Sequence, residues 1–163
     1  MNKLCFFTFF LSFCFLFAKI SFADYLVILI DETSVSYSLS QNKYSNSPSK
    51  YSNSHNKYSN SSDKYSNSPN KYSNSANKYS NGASGKNRLI TKDSFYVGYY
   101  TITDDDVINL YNSDGERIAF NPNLDETQSI FHSSKEKWCG TFGSVDRKRV
   151  IGLVPSCYYR FAK

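Results

Sequence analysis

Residues 95–120 read FYVGYYTITDDDVINLYNSDGERIAF, and they carry the clearest strand and turn signals of the chain. Three runs rich in β-branched and aromatic residues, at 95–103, 107–111 and 117–120, are separated by short polar turns, which is typical of antiparallel strands. The turn Asn112-Ser113-Asp114-Gly115 is a strong hairpin signal because glycine takes positive φ without steric cost. The stretch therefore predicts a β-meander.

The sequence on both sides of this stretch continues the pattern. Further strands are predicted at residues 88–91, 128–132, 137–142, 149–154 and 157–162. Turn signals every eight to twelve residues or so favour antiparallel strands that close as a small barrel or sandwich. We therefore expect a mainly β fold, because no stretch has the length and 3.6-residue period of a long helix.

Residues 43–84, before the meander, are an internal repeat of six seven-residue units. The units read KYSNSPS, KYSNSHN, KYSNSSD, KYSNSPN, KYSNSAN and KYSNGAS. The first four places never change, whereas the sixth takes Pro, His, Ser or Ala. This contrast indicates that the fixed tetrad matters and that the sixth place is a tolerant turn, although recent duplication produces part of the same pattern. Residues 36–42 form a degenerate seventh unit in the same register.

Two forms of this array are open from the sequence. A coiled coil is excluded, because no unit supplies the two aliphatic residues that each heptad places at the helix interface, and because Pro48 and Pro69 would break a helix. One remaining form is a disordered polar spacer. The other is a short β-solenoid, in which Tyr-Ser-Asn-Ser is a strand with Tyr and Asn on one face and two units make one coil. The alternation of Val35, Tyr37 and Leu39 with serines favours the solenoid and predicts a strand there.

In either form we expect the array to present its Tyr and Lys side chains as a contact surface. The residues concerned are Lys43, Tyr44, Lys50, Tyr51, Lys57, Tyr58, Lys64, Tyr65, Lys71, Tyr72, Lys78 and Tyr79. Phenol faces stack on flat ligands, and ammonium groups attract anionic polymers. Cell-wall glycan, lipopolysaccharide, another protein or another copy of this chain are the expected partners. Nucleic acid is disfavoured, because six Lys against Asp63 is a dilute charge over the array.

Residues 1–23 predict a cleaved signal peptide. They hold 17 hydrophobic residues, of which 8 are Phe, after a basic start at Lys3. The apolar run at 4–18 is too short to cross a bilayer comfortably, and Ser21 and Ala23 suit cleavage before Asp24. An uncleaved anchor is disfavoured by the charges beside the run. The expected mature chain has no transmembrane span, carries 17 basic against 14 acidic residues, and lies in the periplasm or at the cell surface.

The expected domain organisation has four segments: a signal peptide at 1–23, N-terminal β-strands at 24–42, the heptad array at 43–84 and a C-terminal β domain at 85–163. The unbroken apolar run Tyr25–Ile30 predicts a strand covered on both faces. Surplus aromatics of the C-terminal segment, such as Tyr96 and Tyr99, are expected in packing, with a ligand face as an alternative.

Cysteine usage predicts one disulfide. Cleavage of residues 1–23 leaves only Cys139 and Cys157, an even pair bound for an oxidising compartment. A nucleophilic Cys139 with His132 as its base is disfavoured, because no third group is evident. The acidic run 104–106 suits a solvated turn better than a cation site. We therefore expect no catalytic residue, no metal site and no cofactor.

The chain resembles small uncharacterised exported bacterial proteins that combine a Tyr-x-Asn-Ser heptad array with a C-terminal β segment. The resemblance is carried by the array and by the motifs YVGYY, INLY, DGERIAF and WCG. It implies export and a paired design of repeat and β domain, and it implies no activity.

The sequence thus predicts an exported, non-enzymatic envelope or surface protein. In this hypothesis the array is a contact surface or spacer for a disulfide-linked β domain. The alternative hypothesis is a periplasmic inhibitor or immunity-type protein, in which the C-terminal β domain binds a partner enzyme.

Overall fold

The computed structural model describes residues 24–161, so the predicted signal peptide lies outside the described residues. Eight strands close a barrel in sequence order. They are β1 (Tyr25–Leu29), β2 (Arg88–Ile90), β3 (Tyr96–Ile102), β4 (Ile108–Asn112), β5 (Arg117–Asn121), β6 (Ser129–His132), β7 (Trp138–Val145) and β8 (Lys148–Leu153). The predicted mainly β fold is confirmed, and the closed form is a barrel.

Strands β2 to β8 form an antiparallel meander, whereas β1 runs parallel to both of its neighbours. Leu26 pairs with Ile90 of β2 and with Val150 of β8. A parallel pair needs a crossover that returns the chain to the same end of the sheet. Residues 30–87, which include the array, are that crossover. Residues 25–29 therefore complete the same barrel as residues 88–153.

Alternate residues of the strands fill the barrel interior. The members of this core that are at most 2% exposed include Val27, Leu89, Tyr100, Leu110, Ile118, Ile130, Ile151 and Leu153. Cys139 and Cys157 are joined in this core, with their Cα atoms 5.6 Å apart, and the predicted disulfide is confirmed. Closing a loop of 18 residues contributes about 3 kcal/mol in the chain-entropy model.

Three predicted strand features are wrong. The run Tyr25–Ile30 is buried on one face only, since Tyr25 and Val27 are buried whereas Leu26 and Ile28 are half-buried. The predicted strand around Val35 is a series of turns, in which Ser40 N–H donates to Ser36 O. Over its described residues, 157–161, the predicted strand at 157–162 is replaced by the end of a helix, α1 (Pro155–Tyr158), and by turns, because Pro155 has the fixed φ that suits the first helical position.

The array is ordered, but its units are turns and not β-strands. Five units form a short 3-10 helix at their Tyr-Ser-Asn residues: Tyr44–Asn46, Tyr51–Asn53, Tyr65–Asn67, Tyr72–Asn74 and Tyr79–Asn81. The unit that begins at Lys57 makes the same turn, with Asn60 N–H donating to Lys57 O. The predicted strand Tyr-Ser-Asn-Ser and the disordered spacer are therefore both absent from residues 43–84.

Candidate binding surface: the heptad array

Each unit of the array contains two successive turns. In the first unit Asn46 N–H donates to Lys43 O at 2.8 Å, and Lys50 N–H donates to Ser47 O at 3.2 Å. The sixth place is the second residue of the latter turn, where the fixed φ of proline is favoured. The structure therefore accommodates Pro48 without loss of a hydrogen bond and confirms the tolerant turn.

The invariant Asn side chains form a ladder along the inner side of the array. Each Nδ2 reaches back six and eight residues and donates to two Ser carbonyls of the preceding unit. Asn53, for example, donates to Ser45 O and Ser47 O, both at 2.9 Å. The same pair of bonds is made by Asn46, Asn60, Asn67, Asn74 and Asn81. All six Asn are at most 5% exposed, so the ladder is the internal core of the array.

The repeated serines complete these turns. The third-place hydroxyl donates to the neighbouring Asn Oδ1 in most units, as Ser45 does at 3.3 Å. The fifth-place hydroxyl accepts the N–H two residues on, as Ser54 does from Asn56 at 3.1 Å. Such side-chain bonds to nearby backbone compete with a β ladder. They explain why this Ser- and Asn-rich segment forms turns.

The array lies on the outer face of the barrel, and three barrel tyrosines hold it there. The hydroxyls of Tyr111, Tyr99 and Tyr96 donate to the main-chain oxygens of Asn67, Asn74 and Asn81 at 2.6–2.7 Å. Consecutive units thus meet consecutive phenols. Tyr99 and Tyr111 also stack on each other, with ring centroids 5.0 Å apart.

Burial keeps these phenols protonated. It raises the pKa of Tyr96 and Tyr99 above the ordinary value and raises the pKa of Tyr111 to about 12. The three hydroxyls therefore stay donors toward the array over the physiological pH range.

Side chains hold the array at two further places. Thr127 Oγ1 donates to Asn46 Oδ1 at 3.1 Å, and Asn109 Nδ2 donates to Asn67 Oδ1 at 3.1 Å. Lys64 forms an ion pair with Asp105, a member of the acidic run that was predicted to be a solvated turn. The first and fourth units are therefore fixed to different parts of the barrel.

Arg117 is a buried cation that the sequence analysis did not single out. Its Nε donates to Asn109 Oδ1 at 2.7 Å, and its guanidinium lies 5.0 Å from the ring centre of Phe120. Burial lowers its pKa to about 10, so it stays charged at neutral pH. One sequence signal was available. The outward residues Asn109 and Tyr111 of β4 are uncharged, whereas the outward face of a solvent-exposed strand usually carries charged residues. This pattern indicates that the outer face is covered.

The predicted contact residues differ in exposure, with the tyrosines more exposed than most of the lysines. The six array tyrosines Tyr44, Tyr51, Tyr58, Tyr65, Tyr72 and Tyr79 point outward and are 65–81% exposed, and Tyr37 of the degenerate unit is 68% exposed. The array lysines alternate with them; Lys43 is exposed, whereas Lys50, Lys57, Lys64, Lys71 and Lys78 are half-buried. Tyr and Asn, which the solenoid hypothesis placed on one face, thus lie on opposite faces.

Within residues 24–161, no hydrogen bond holds the hydroxyl of an array tyrosine. The invariant Asn and Ser are explained by internal bonds, but the invariant Tyr has no such explanation. A row of exposed phenols with interspersed ammonium groups is chemically suited to stack on and attract an anionic or hydroxylated polymer.

The other predicted chemistry is limited in the described part of the chain. Residues 24–161 contain no group of three or more His, Cys, Asp and Glu side chains that could hold a metal ion. Cys139 is in the disulfide and is therefore not a free thiol. In the same residues, no helix has the length and apolar character needed to cross a membrane.

His132 is buried between donors. Its Nδ1 accepts Ser134 N–H at 3.2 Å, and its Nε2 lies 2.8 Å from Arg160 Nη1. Burial, followed by the charge of Arg160 and weaker contributions from Lys135, Lys137 and His55, lowers its pKa to about 4. The neutral ring is therefore the folded form at neutral pH.

Acidification is expected to destabilise the protein through His132. The unfolded chain binds this proton near pH 6.5 and the folded chain only near pH 4, so stability is full above the first value and is lost as the pH falls toward the second. Between neutral pH and pH 5 the loss is on the order of 2 kcal/mol. Urea unfolding near neutral pH and near pH 5 measures it, and the variant His132→Gln should lose less. An equal loss in both proteins would contradict the role of His132.

Comparison with known proteins adds no assignment. No protein-family model, curated protein or solved structure matches this chain. The resemblance to exported repeat proteins stays a prediction, and only the chain's own residues bear on its function.

Proposed function

We propose that this is an exported, non-enzymatic envelope or surface protein that binds a polymer through the outward Tyr and Lys row of its array. The polymer classes that fit are cell-wall glycan and lipopolysaccharide. The observation that carries the proposal is the contrast within each unit: the invariant Asn is buried, while the invariant Tyr is 65–81% exposed. Exposure of one large aromatic is ordinary, whereas seven at a fixed interval form a surface.

The array is a contact surface in this proposal and not a spacer. Both of its ends rejoin one barrel, since β1 and β2 are neighbours, so it cannot hold two bodies apart. Its backbone is fixed by the Asn ladder and by the barrel tyrosines. A fixed backbone lowers the entropy cost of binding, which favours recognition of an extended ligand by many weak contacts.

The test compares binding of the mature protein and a triple variant, Tyr51→Ser, Tyr58→Ser and Tyr65→Ser, to isolated cell wall and to lipopolysaccharide over a salt series. Because these rings are 65–71% exposed, the fold should be retained. We expect binding of one polymer to weaken at least tenfold, which corresponds to about 1.4 kcal/mol. The control variant, Ile102→Ser with Tyr159→Ser, replaces exposed apolar groups outside the array and should bind as the wild type does.

Equal binding by the triple variant and the wild type would show that the array tyrosines do not bind the polymer. The alternative is then an inhibitor or immunity-type protein whose barrel binds an envelope enzyme. Capture of one stoichiometric partner by both proteins would support that alternative.

A further inference from the structure

The barrel has a second surface that the array does not cover. It is a groove of about 730 Å³ along the outer face of β2, β1 and β8, and none of its lining residues belongs to the array. Leu26 lies in the middle, paired with Ile90 on one side and Val150 on the other. With Ile28 on the same face of β1, these side chains give the groove an apolar floor.

Two tight turns border this groove and carry exposed cations. The turn after β2 contributes Lys92, and the hairpin between β7 and β8 contributes Arg147 and Lys148. Positive φ values of 50° and 65° at Asp146 and Arg147 define this hairpin.

The acids at the groove offset only part of this charge. Asp24 is bound by Arg88, with Nε 2.9 Å from Oδ1, and Asp146 is the other acid in the lining. A further cation, Arg149, packs over the Tyr25 ring at 4.4 Å. The rim of the groove is therefore positively charged, whereas its floor is apolar.

Exposed apolar side chains extend from the same two turns. Phe95 follows the turn after β2 and is 69% exposed, and Val145 precedes the hairpin turn and is 53% exposed. An apolar projection beside a Lys or Arg is the combination that enters a lipid interface, since the apolar group inserts and the cation meets the headgroup phosphate.

We propose that this groove binds an anionic phospholipid at a membrane surface, with an acyl chain on the apolar floor and the phosphate at Lys92, Arg147 and Lys148. The volume lies within the range of pockets that hold one small ligand. The charge of the rim selects an anionic headgroup over a zwitterionic one. This site is on a different face from the array and does not depend on polymer binding there.

The experiment is co-sedimentation of the mature protein with vesicles of phosphatidylcholine alone and of phosphatidylcholine mixed with phosphatidylglycerol. We expect binding to the mixed vesicles only, weakening with salt. The variant Lys92→Glu with Lys148→Glu should bind at least tenfold more weakly, and Phe95→Ser with Val145→Ser should also weaken binding.

Matched controls lie outside both the groove and the array, where Lys86→Glu with Lys135→Glu makes the same charge change and Ile102→Ser with Tyr159→Ser removes similarly exposed apolar side chains. Both controls should bind the mixed vesicles as the wild type does. Absence of phosphatidylglycerol-dependent binding, or equal losses in the groove variants and the control variants, would overturn the proposal. So would dissociation of a dimer by Phe95→Ser with Val145→Ser in sedimentation equilibrium, which would make the occupant a second copy of the chain.

Discussion

Deletion of one array unit, residues 57–63, is expected to lower the free energy of unfolding by about 3 kcal/mol or to prevent folding. Three units span the path from Asn46, held by Thr127, to Asn67, held by Asn109. With one unit removed, two units must span the same path, so one of these ends has to leave the barrel. The buried groups that it leaves unpaired cost about 1–3 kcal/mol each.

Urea unfolding of the deletion variant measures this loss. The matched control keeps all six units and turns the third into a copy of the fourth, through Ser62→Pro with Asp63→Asn. Because the sixth place is a turn that already holds proline elsewhere, the control should differ from the wild type by less than about 0.5 kcal/mol. A deletion variant as stable as this control would show that the barrel does not set the number of units.

Substitution Asn67→Ala is expected to cost about 4 kcal/mol. Asn67 is fully buried, and its Nδ2 donates to Ser59 O at 2.7 Å and to Ser61 O at 2.9 Å. Its Oδ1 also accepts from Asn109. Alanine leaves three polar groups without their partner at a site that water does not reach, and each loss costs about 1–3 kcal/mol.

The control for Asn67→Ala is Tyr65→Ala, two residues earlier in the same unit. Tyr65 is 65% exposed, so its loss should cost less than about 0.5 kcal/mol. Equal destabilisation by the two variants, measured by urea unfolding, would contradict the assignment of Asn to the inner side and Tyr to the outer side.

Local sequence signals predicted much of the barrel. The hairpin at Asn112–Gly115 lies between β4 and β5, and Gly115 takes a φ of 85° as the turn requires. Strands β3 to β8 overlap the predicted runs because each run is rich in β-branched and aromatic residues and is bounded by turn residues. Only two cysteines remain in the described chain, so their pairing needed no knowledge of the fold.

The parts of the fold that the sequence did not predict depend on contacts between residues far apart in the chain. The parallel position of β1 depends on Ile90 and Val150, which are remote from Leu26 in sequence. The alternation Val35, Tyr37 and Leu39 has the period of a strand, yet local Ser and Asn bonds to the backbone favour turns there.

The orientation of the array could be predicted only in part. Invariance of the Lys-Tyr-Ser-Asn tetrad indicated that its residues matter, but it did not distinguish an inward Asn from an outward Tyr. The deciding contacts are the carbonyls of the preceding unit and the phenols of Tyr99 and Tyr111. Neither can be read from one unit, because the ladder exists only when units stack.

Residue-resolved hydrogen exchange of residues 24–163 measures whether the array is an ordered layer built on its Asn residues. The main-chain amides of Asn46, Asn53, Asn60, Asn67, Asn74 and Asn81 each donate to a Lys carbonyl at 2.8–2.9 Å. We expect slow exchange at these six amides, recurring every seven residues. Uniformly fast exchange throughout residues 43–84 would contradict it.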